Sequence, residues 1–367
     1  MKTDVKVSLY PDYGGNMTEG NRKYCLDLTN DEILLWCKDK GYPKFRADQI
    51  SKWLSAGVTD TSLMTNLPSD MKTKLEEDFV FSDLKIIDEF ISSIDGTRKL
   101  VYLMPDGNII ETVIMRYKTG LSVCISSQAG CKMGCSFCAS AKAGFGRSLS
   151  AGEMAAQVLV SQHHVNEKIR SVVVMGIGEP FDNYDELLRF IGIMNNPNGV
   201  NLGARHITVS TCGLVPKIEA FTKEKLQVNL AISLHAPNDE LRRELMPVAS
   251  RYSLSELMNA CREYVDKTGR RITFEYSLFN EVNDTFACAE QLSRLLKGLN
   301  CHVNLIAANE FPGSPYKRSS AKRVTAFRKA LENKGINATL RREMGTDIMA
   351  ACGQLRRGKE EERQGQV

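Results

Sequence analysis

The sequence predicts an α/β protein with a partial (β/α)6 barrel over residues 119–350. A small N-terminal helical domain (1–95) and a linking β-hairpin (96–118) precede the barrel, and a C-terminal segment (351–367) follows it. Three observations predict this. From residue 119 onward, apolar strand-like segments alternate with helical ones, and such repeats indicate a parallel sheet with helices outside it. The first 95 residues carry helix start and stop signals instead. Between the two regions, β-rich runs flank a turn signal at Pro105-Asp106-Gly107.

In chain order, "LTNDEILLWCKDKG" carries a capping box from Thr29 to Glu32 and a stop at Gly41. "FRADQISKWLSAG" repeats the pattern with Gly57, and "LPSDMKTKLEEDF" begins at a Ser69 cap. "KLVYLM" and "NIIETVIMRY" form the hairpin. The strands expected next are "SVCISS", "SVVVMG", "HITVST", "VNLAISLH", "ITFEYSLF", "HVNLIAAN" and "NATLRRE". Helical stretches such as "SAGEMAAQVLVSQHH" and "SLSELMNACREYVDKTG" separate them. Six or so units suit a partial barrel better than a full eight-unit one, and sites in such folds gather at the C-terminal ends of strands. The tail "RRGKEEERQGQV" reads as frayed.

Composition bounds the partners. The chain has 367 residues, 43% hydrophobic and 25% charged, with net charge +4. That permits a nucleic-acid partner without arguing for one. No apolar run is long enough to span a bilayer, and the N-terminus lacks an apolar signal core, so a cytoplasmic, membrane-free monomer is the expectation. In that compartment the eleven cysteines are reduced. Cys37, Cys261, Cys288 and Cys301 read as small buried hydrophobes, and packing is favoured for Cys25 and Cys212 too.

"CKMGCSFCAS" is the chemical signal. Cys131, Cys135 and Cys138 follow the first barrel strand, on the loop at its C-terminal end. A zinc site wants a fourth Cys or His, and the nearest His is His163, within a helix. Three thiolates on a [4Fe-4S] cluster leave one iron open for a small chelating molecule. Polar residues mark other strand ends. Gly176 and Gly178 in "MGIGEP" permit close backbone approach, and Glu179 can accept from an ammonium group. Ser210, Ser233, His235 and Asn309 end their strands, either as helix caps or as the lining of a nucleoside-sized site. Taken alone, Cys124 and Cys352 read as packed cysteines, and Glu111 as a charged residue on a solvated hairpin face.

The C-x3-C-x2-C spacing matches the radical S-adenosylmethionine superfamily. "CISSQAGCKMGCSFCAS", "GIGEP", "ISLHAPND", "EFPGSPY" and "DIMAACGQL" together resemble the RlmN/Cfr family of radical-SAM rRNA adenine methyltransferases, over about residues 25–356. The resemblance implies a [4Fe-4S] cluster on Cys131, Cys135 and Cys138. It implies S-adenosylmethionine lined by Gly178, Glu179, Ser210, Ser233, Leu234, His235 and Asn309. It further implies Cys352 as methyl carrier, Cys124 as resolving thiol, and Glu111 as proton acceptor. The implied reaction passes through a methyl-cysteine, a covalent protein–RNA adduct and a disulfide. The implied product is C2-methyladenine in 23S rRNA, with an anticodon-loop adenine of tRNA as second substrate. Flavodoxin or ferredoxin is the implied electron donor. Two alternatives stay open: methylation at C8 of the same adenine, with antibiotic resistance, and a non-enzymatic metal-binding RNA module. Ile177, Ala308 and Phe181-Asp182 depart from the family pattern and bear on fine specificity.

Overall fold

The structure, a computed structural model, describes residues 22–81, 84–311, 313–356 and 358–359. Residues 1–21 lie outside the described residues, as does most of the tail 356–367 expected to be frayed; of that tail, Gly358–Lys359 is instead paired in a short strand.

Helices α1 (Asn30–Asp39), α2 (Phe45–Ser55) and α3 (Ser69–Asp78) form the N-terminal unit. Thr29 and Glu32 make the expected capping box on α1, a device worth about 1 kcal/mol. The expected Ser69 cap differs: Ser69 is the first helical residue, and Pro68 precedes it in extended conformation. Proline's fixed φ suits that turn and sacrifices no N–H. Trp36, Ile50, Met64, Met71 and Leu75 are buried at the centre. Trp36 stacks on Tyr42 at 5.8 Å and donates Nε1–H to Asp78 at 2.8 Å. Strands β1 (Lys23–Tyr24) and β2 (Phe79–Val80) pair in parallel beside these helices.

One sheet organises the rest. Strands β3 (Lys85–Ile91), β4 (Arg98–Leu103) and β5 (Asn108–Tyr117) run antiparallel and continue onto β6 (Gly120–Ile125). A short ladder follows, β7 (Gln128–Gly130) with β8 (Phe145–Ser148), enclosing the small helix α4 (Ala139–Lys142). From β6 the sheet is parallel through β9 (Ile169–Val174), β10 (Ile207–Thr211), β11 (Asn229–Ser233), β12 (Ile272–Leu278), β13 (Cys301–Ala307) and β14 (Ala338–Leu340). The crossovers are α5 (Ala151–Val165), α6 (Tyr184–Asn195), α7 (Val215–Lys223), α8 (Asp239–Leu245) with α9 (Leu254–Thr268), α10 (Phe286–Leu296) and α11 (Ala321–Glu332). Six β/α units therefore lead to a last strand. Among the described residues β14 and β3 do not pair, so the sheet is an open, partial barrel.

Strand β3 lies within the stretch expected to be helical, and the antiparallel part has three strands fused to the barrel sheet. Its side chains are half-buried or exposed, and a bulge falls between Ile86 and Asp88. Without a buried face it lacks the alternation that marks a strand. One apolar core runs from the N-terminal unit (Trp36, Ile50) into the barrel (Val172, Leu230, Phe274). Asp27 strengthens that junction: its carboxylate accepts from Gly152 N–H in the first turn of α5, and its carbonyl accepts from Arg189 at 2.8 Å. Beyond β14 the chain returns across the open side, and β15 (Gly358–Lys359) pairs with β5.

Candidate active site

The three-cysteine loop is held from several sides. Cys131 N–H donates to Gly144 O (3.0 Å), Cys138 N–H to Cys135 O (3.1 Å) and Ser136 N–H to Leu245 O at the end of α8 (3.0 Å). Gly134 turns the loop at φ +71°, a conformation that disfavours side chains. All three thiols border one cavity of about 1270 Å³, part of it open to solvent. Burial pushes the Cys131 pKa up to about 11 and that of Cys135 well above the ordinary thiol range. Without a cation these groups are therefore protonated, and a metal that binds them displaces the protons.

The donor set fits an iron–sulfur cluster. Three soft thiols face one space, with Met133 and Phe137 beside them. Among the described residues, no three His, Cys, Asp or Glu side chains gather as one metal ion requires. Cys212 also borders the cavity, but its thiol is hydrogen-bonded to Glu179 and burial holds its pKa well up. Its backbone N–H also donates to that carboxylate, at 2.7 Å.

Strand ends supply the rest of the wall. An added Cβ at Gly176 would stand 2.7 Å from Ile125 O, and one at Gly178 (φ +110°) 2.7 Å from Ser127 Oγ, so both positions require glycine. Glu179 is buried, which raises its pKa; Cys212 N–H (2.7 Å) and Phe181 N–H (3.0 Å) donate to it and oppose that rise. Ser210 and Ser233 hydroxyls stand 3.5 Å apart on the cavity wall. His235 adopts φ +54°, packs edge-on against Phe137 with centroids 4.8 Å apart, and accepts Ser277 N–H at Nδ1 (2.9 Å). Burial, with Arg242 nearby, lowers its pKa to about 3, so it is neutral. Leu234 packs in the core, and Asn309 donates to Cys352 O at 3.2 Å; neither borders the cavity.

Cys124 and Cys352, 228 positions apart in sequence (352 − 124), border the same cavity as the loop thiols, and both are free. The segment bearing Cys352 is strapped down. Ala139 N–H donates to Gly353 O (2.8 Å), Ser140 Oγ to Leu355 O (2.8 Å) and Gln354 Nε2 to Glu310 O (2.7 Å). Glu111 is 1% exposed and faces this strap: it accepts Arg356 N–H at 2.8 Å and pairs with Lys99 at 3.5 Å. It is buried, not on a solvated face, and it stands beside the cavity rather than on its wall.

Several cavity residues escape the sequence reading. Tyr117 and Met115 on β5, Glu275 on β12 and Arg341 after β14 all border the space. Arg341 carried a signal, as a charge at the end of an apolar strand, but "LRRE" reads equally as one of several scattered basic runs.

Comparison with known proteins agrees with this geometry. Residues 125–287 match the Radical SAM superfamily, and residues 25–80 match the Ribosomal RNA large subunit methyltransferase N-terminal domain. A Clostridium botulinum protein described as "Probable dual-specificity RNA methyltransferase RlmN" is 51% identical over 335 residues, covering 91% of this chain and 96% of that one. A Geobacillus kaustophilus protein of the same description is 52% identical over 333 residues, covering 90% and 91%. A solved radical SAM methyltransferase from Sphaerobacter thermophilus superposes with a TM-score of 0.87 at 45% identity, covering 91% of this chain and 99% of that one. The chain belongs to the RlmN family of radical-SAM RNA methyltransferases.

Proposed function

We propose that this enzyme methylates C2 of an adenine in 23S rRNA, and an anticodon-loop adenine of tRNA, through a methylated Cys352. One observation carries the reading: Cys124 and Cys352 border the cavity that the three cluster thiols border. An adenine C2–H is neither acidic nor nucleophilic, so direct polar transfer to that carbon is slow. A thiol near the methyl donor solves half the problem, because sulfur accepts a methyl readily.

Cys131, Cys135 and Cys138 would hold the cluster, and Glu179, Ser210, Ser233 and His235 would line the S-adenosylmethionine site. When bound and reduced by a donor such as flavodoxin or ferredoxin, the cluster supplies the electron that opens radical chemistry on S-adenosylmethionine. The protein's own part is to carry carbon. Cys352 presents the methyl-derived carbon to adenine, Glu111 accepts the C2 proton, and Cys124 attacks Cys352 to release the product. Neutral His235 and the apolar side chains of Met133 and Phe137 limit water around the reacting groups. The N-terminal helical unit grips folded RNA through shape and phosphate contacts, and the target base leaves its stack to reach the cavity. The relatives' printed description as dual-specificity RNA methyltransferases supports two RNA substrates.

The test is mass spectrometry of digested rRNA and tRNA from cells lacking their own enzyme and expressing this one. The expected product is 2-methyladenosine in both RNAs, absent with Cys352→Ala. Production of 8-methyladenosine, or 2-methyladenosine from the Cys352→Ala variant, would overturn the reading.

A further inference from the structure

Two sulfurs that must both react as thiolates face one cavity, and neighbouring thiolates repel. Cys124 shows the cost: burial first, and the Cys352 sulfur second, push its pKa up to about 12. A thiol so protonated is a poor nucleophile at neutral pH. Some group must favour the anions, and the cavity's cations are few. His235 is neutral, as argued above. Arg342 borders the cavity but is exposed to solvent. Arg341 borders it from within, with its side chain 20% exposed.

Arg341 is held in place by its neighbours. Its N–H donates to Leu305 O at 2.8 Å, just past β14, so the sheet sets where the side chain starts. Its guanidinium Nη1 lies 3.8 Å from Glu275 Oε2 and 3.9 Å from Met175 Sδ. Glu275 is buried on β12, and both its oxygens accept from Asn304 Nδ2, at 3.2 and 3.0 Å. The Cys352 sulfur chiefly, then Glu275, Tyr117 and Cys124, hold the Arg341 pKa up against burial. Arg341 in turn opposes the rise at Cys124. The other titratable or charged groups bordering the cavity are Tyr117 from β5, Glu275 from β12, Arg342 after β14, Glu179, Cys212 and the cysteines of the 131–138 loop.

We propose that Arg341 is a positioning residue for both thiol reactions, its guanidinium favouring the anion first on Cys352 and then on Cys124. The inference rests on the methyl-cysteine reading above. In the first reaction the Cys352 proton passes to solvent and the thiolate forms a bond to the methyl carbon of S-adenosylmethionine. The bond from that carbon to the donor sulfur breaks with its electron pair left on the sulfur, giving S-adenosylhomocysteine. In the second, the Cys124 thiolate bonds to Cys352 Sγ, and the Cys352 S–C bond breaks with its pair passing to the product carbon, which takes a proton. Both sulfurs are oxidised to a disulfide, the carbon is reduced, and a dithiol reductant restores the pair. The two steps share one need, an anionic sulfur in a desolvated cavity, and a neighbouring cation favours that form.

Thiol reactivity tests this without RNA. Full-length, iron-loaded protein is treated anaerobically with iodoacetamide from pH 6 to 10, and peptide mass spectrometry follows Cys352 and Cys124. Arg341→Gln is expected to slow Cys352 alkylation at pH 7 about tenfold, because loss of the neighbouring cation disfavours the anionic sulfur. Arg341→Lys is expected to stay within about threefold of wild type. Glu275→Gln, which frees the guanidinium from its carboxylate, is expected to speed alkylation. Cluster absorption and near-UV circular dichroism check that each variant is folded. The proposal is overturned if the Arg341→Gln profile superimposes on wild type, or if Arg341→Lys is slowed as much as Arg341→Gln. Should Arg341→Gln not fold, Glu275→Gln decides: an unchanged or slower Cys352 overturns the proposal. The functional reading fails separately, by a missing or different methyladenosine from wild type.

Discussion

Cys124 and Cys352 make unequal residue-level predictions. On the proposed route Cys352 is the methyl acceptor and Cys124 the resolving thiol, so with Cys352→Ala methyladenosine should fall to background. Cys124→Ala leaves the adduct without a resolving thiol, so denaturing gels should show protein cross-linked to RNA, with less than about 1% of wild-type turnover. Normal turnover by Cys124→Ala would remove its role. Cys131→Ala should lose iron and activity together, read by iron analysis and by the visible absorption of the reconstituted protein. That Cys131, Cys135 and Cys138 face one space was legible because their spacing is local in sequence. That Cys124 and Cys352 border one cavity was not legible in either segment, since nothing in each alone separates a reactive thiol from a packed one.

Helix α5 gives a prediction at the level of an element. Its first turn is satisfied from three directions: Ser150 and Glu153 form the capping box, Glu186 accepts Ala151 N–H at 2.7 Å, and Asp27 accepts Gly152 N–H. Burial chiefly, and the Glu153 and Glu186 carboxylates in addition, raise the Asp27 pKa to about 7. A carboxyl whose pKa is higher in the folded state stabilises fully below its unfolded value, near 4, and loses that contribution as pH rises through about 7. Asp27→Asn keeps the acceptor and removes the titration. The variant should therefore melt about 2–4 °C above wild type at pH 8, and the gap should close toward pH 4. Scanning calorimetry across pH checks it; a constant gap would contradict it. Gly152→Ala should loosen the same joint, because an added Cβ would stand 2.6 Å from Asp27 N. The capping box on α5 is readable in "SAGE", whereas Asp27 has no sequence signal, because its partner lies 125 residues away.

For the whole molecule, one partly buried ion-pair network joins the antiparallel extension to the barrel. Arg147 on β8 binds Glu153 of α5 in a two-bond fork, 2.7 Å at each nitrogen, and also pairs with Asp106 in the β4–β5 turn. Losing charge-assisted hydrogen bonds from a partly buried carboxylate means Arg147→Met should cost about 1–2 kcal/mol in unfolding free energy. The hydrogen bonds and charge of Arg147 outweigh burial and hold the Asp106 pKa below its ordinary value. Its contribution is thus present above about pH 4 and lost as pH falls through the depressed folded value. Wild type should lose stability below pH 4 more steeply than Arg147→Met, as acid unfolding followed by circular dichroism would show. The C-terminal strap acts at the same scale. It covers the open side of the barrel through bonds from Ser140, Asn309 and Glu111. Its place could not be read in the sequence, because those anchors come from three separate parts of the chain.

By itself the sequence determined the α/β class, the three-cysteine loop, the glycines of "GIGEP" and the capping boxes, because each follows from residues within one turn or one strand of one another. It could not place β3, whose half-exposed face carries no apolar period, or show that Glu111 is buried against Arg356. Nor could it separate Arg341 from other basic runs or show that Cys212 serves Glu179. Those outcomes belong to the tertiary structure alone, since burial, and the charge that burial either punishes or pairs, depends on which distant strands the sheet brings side by side.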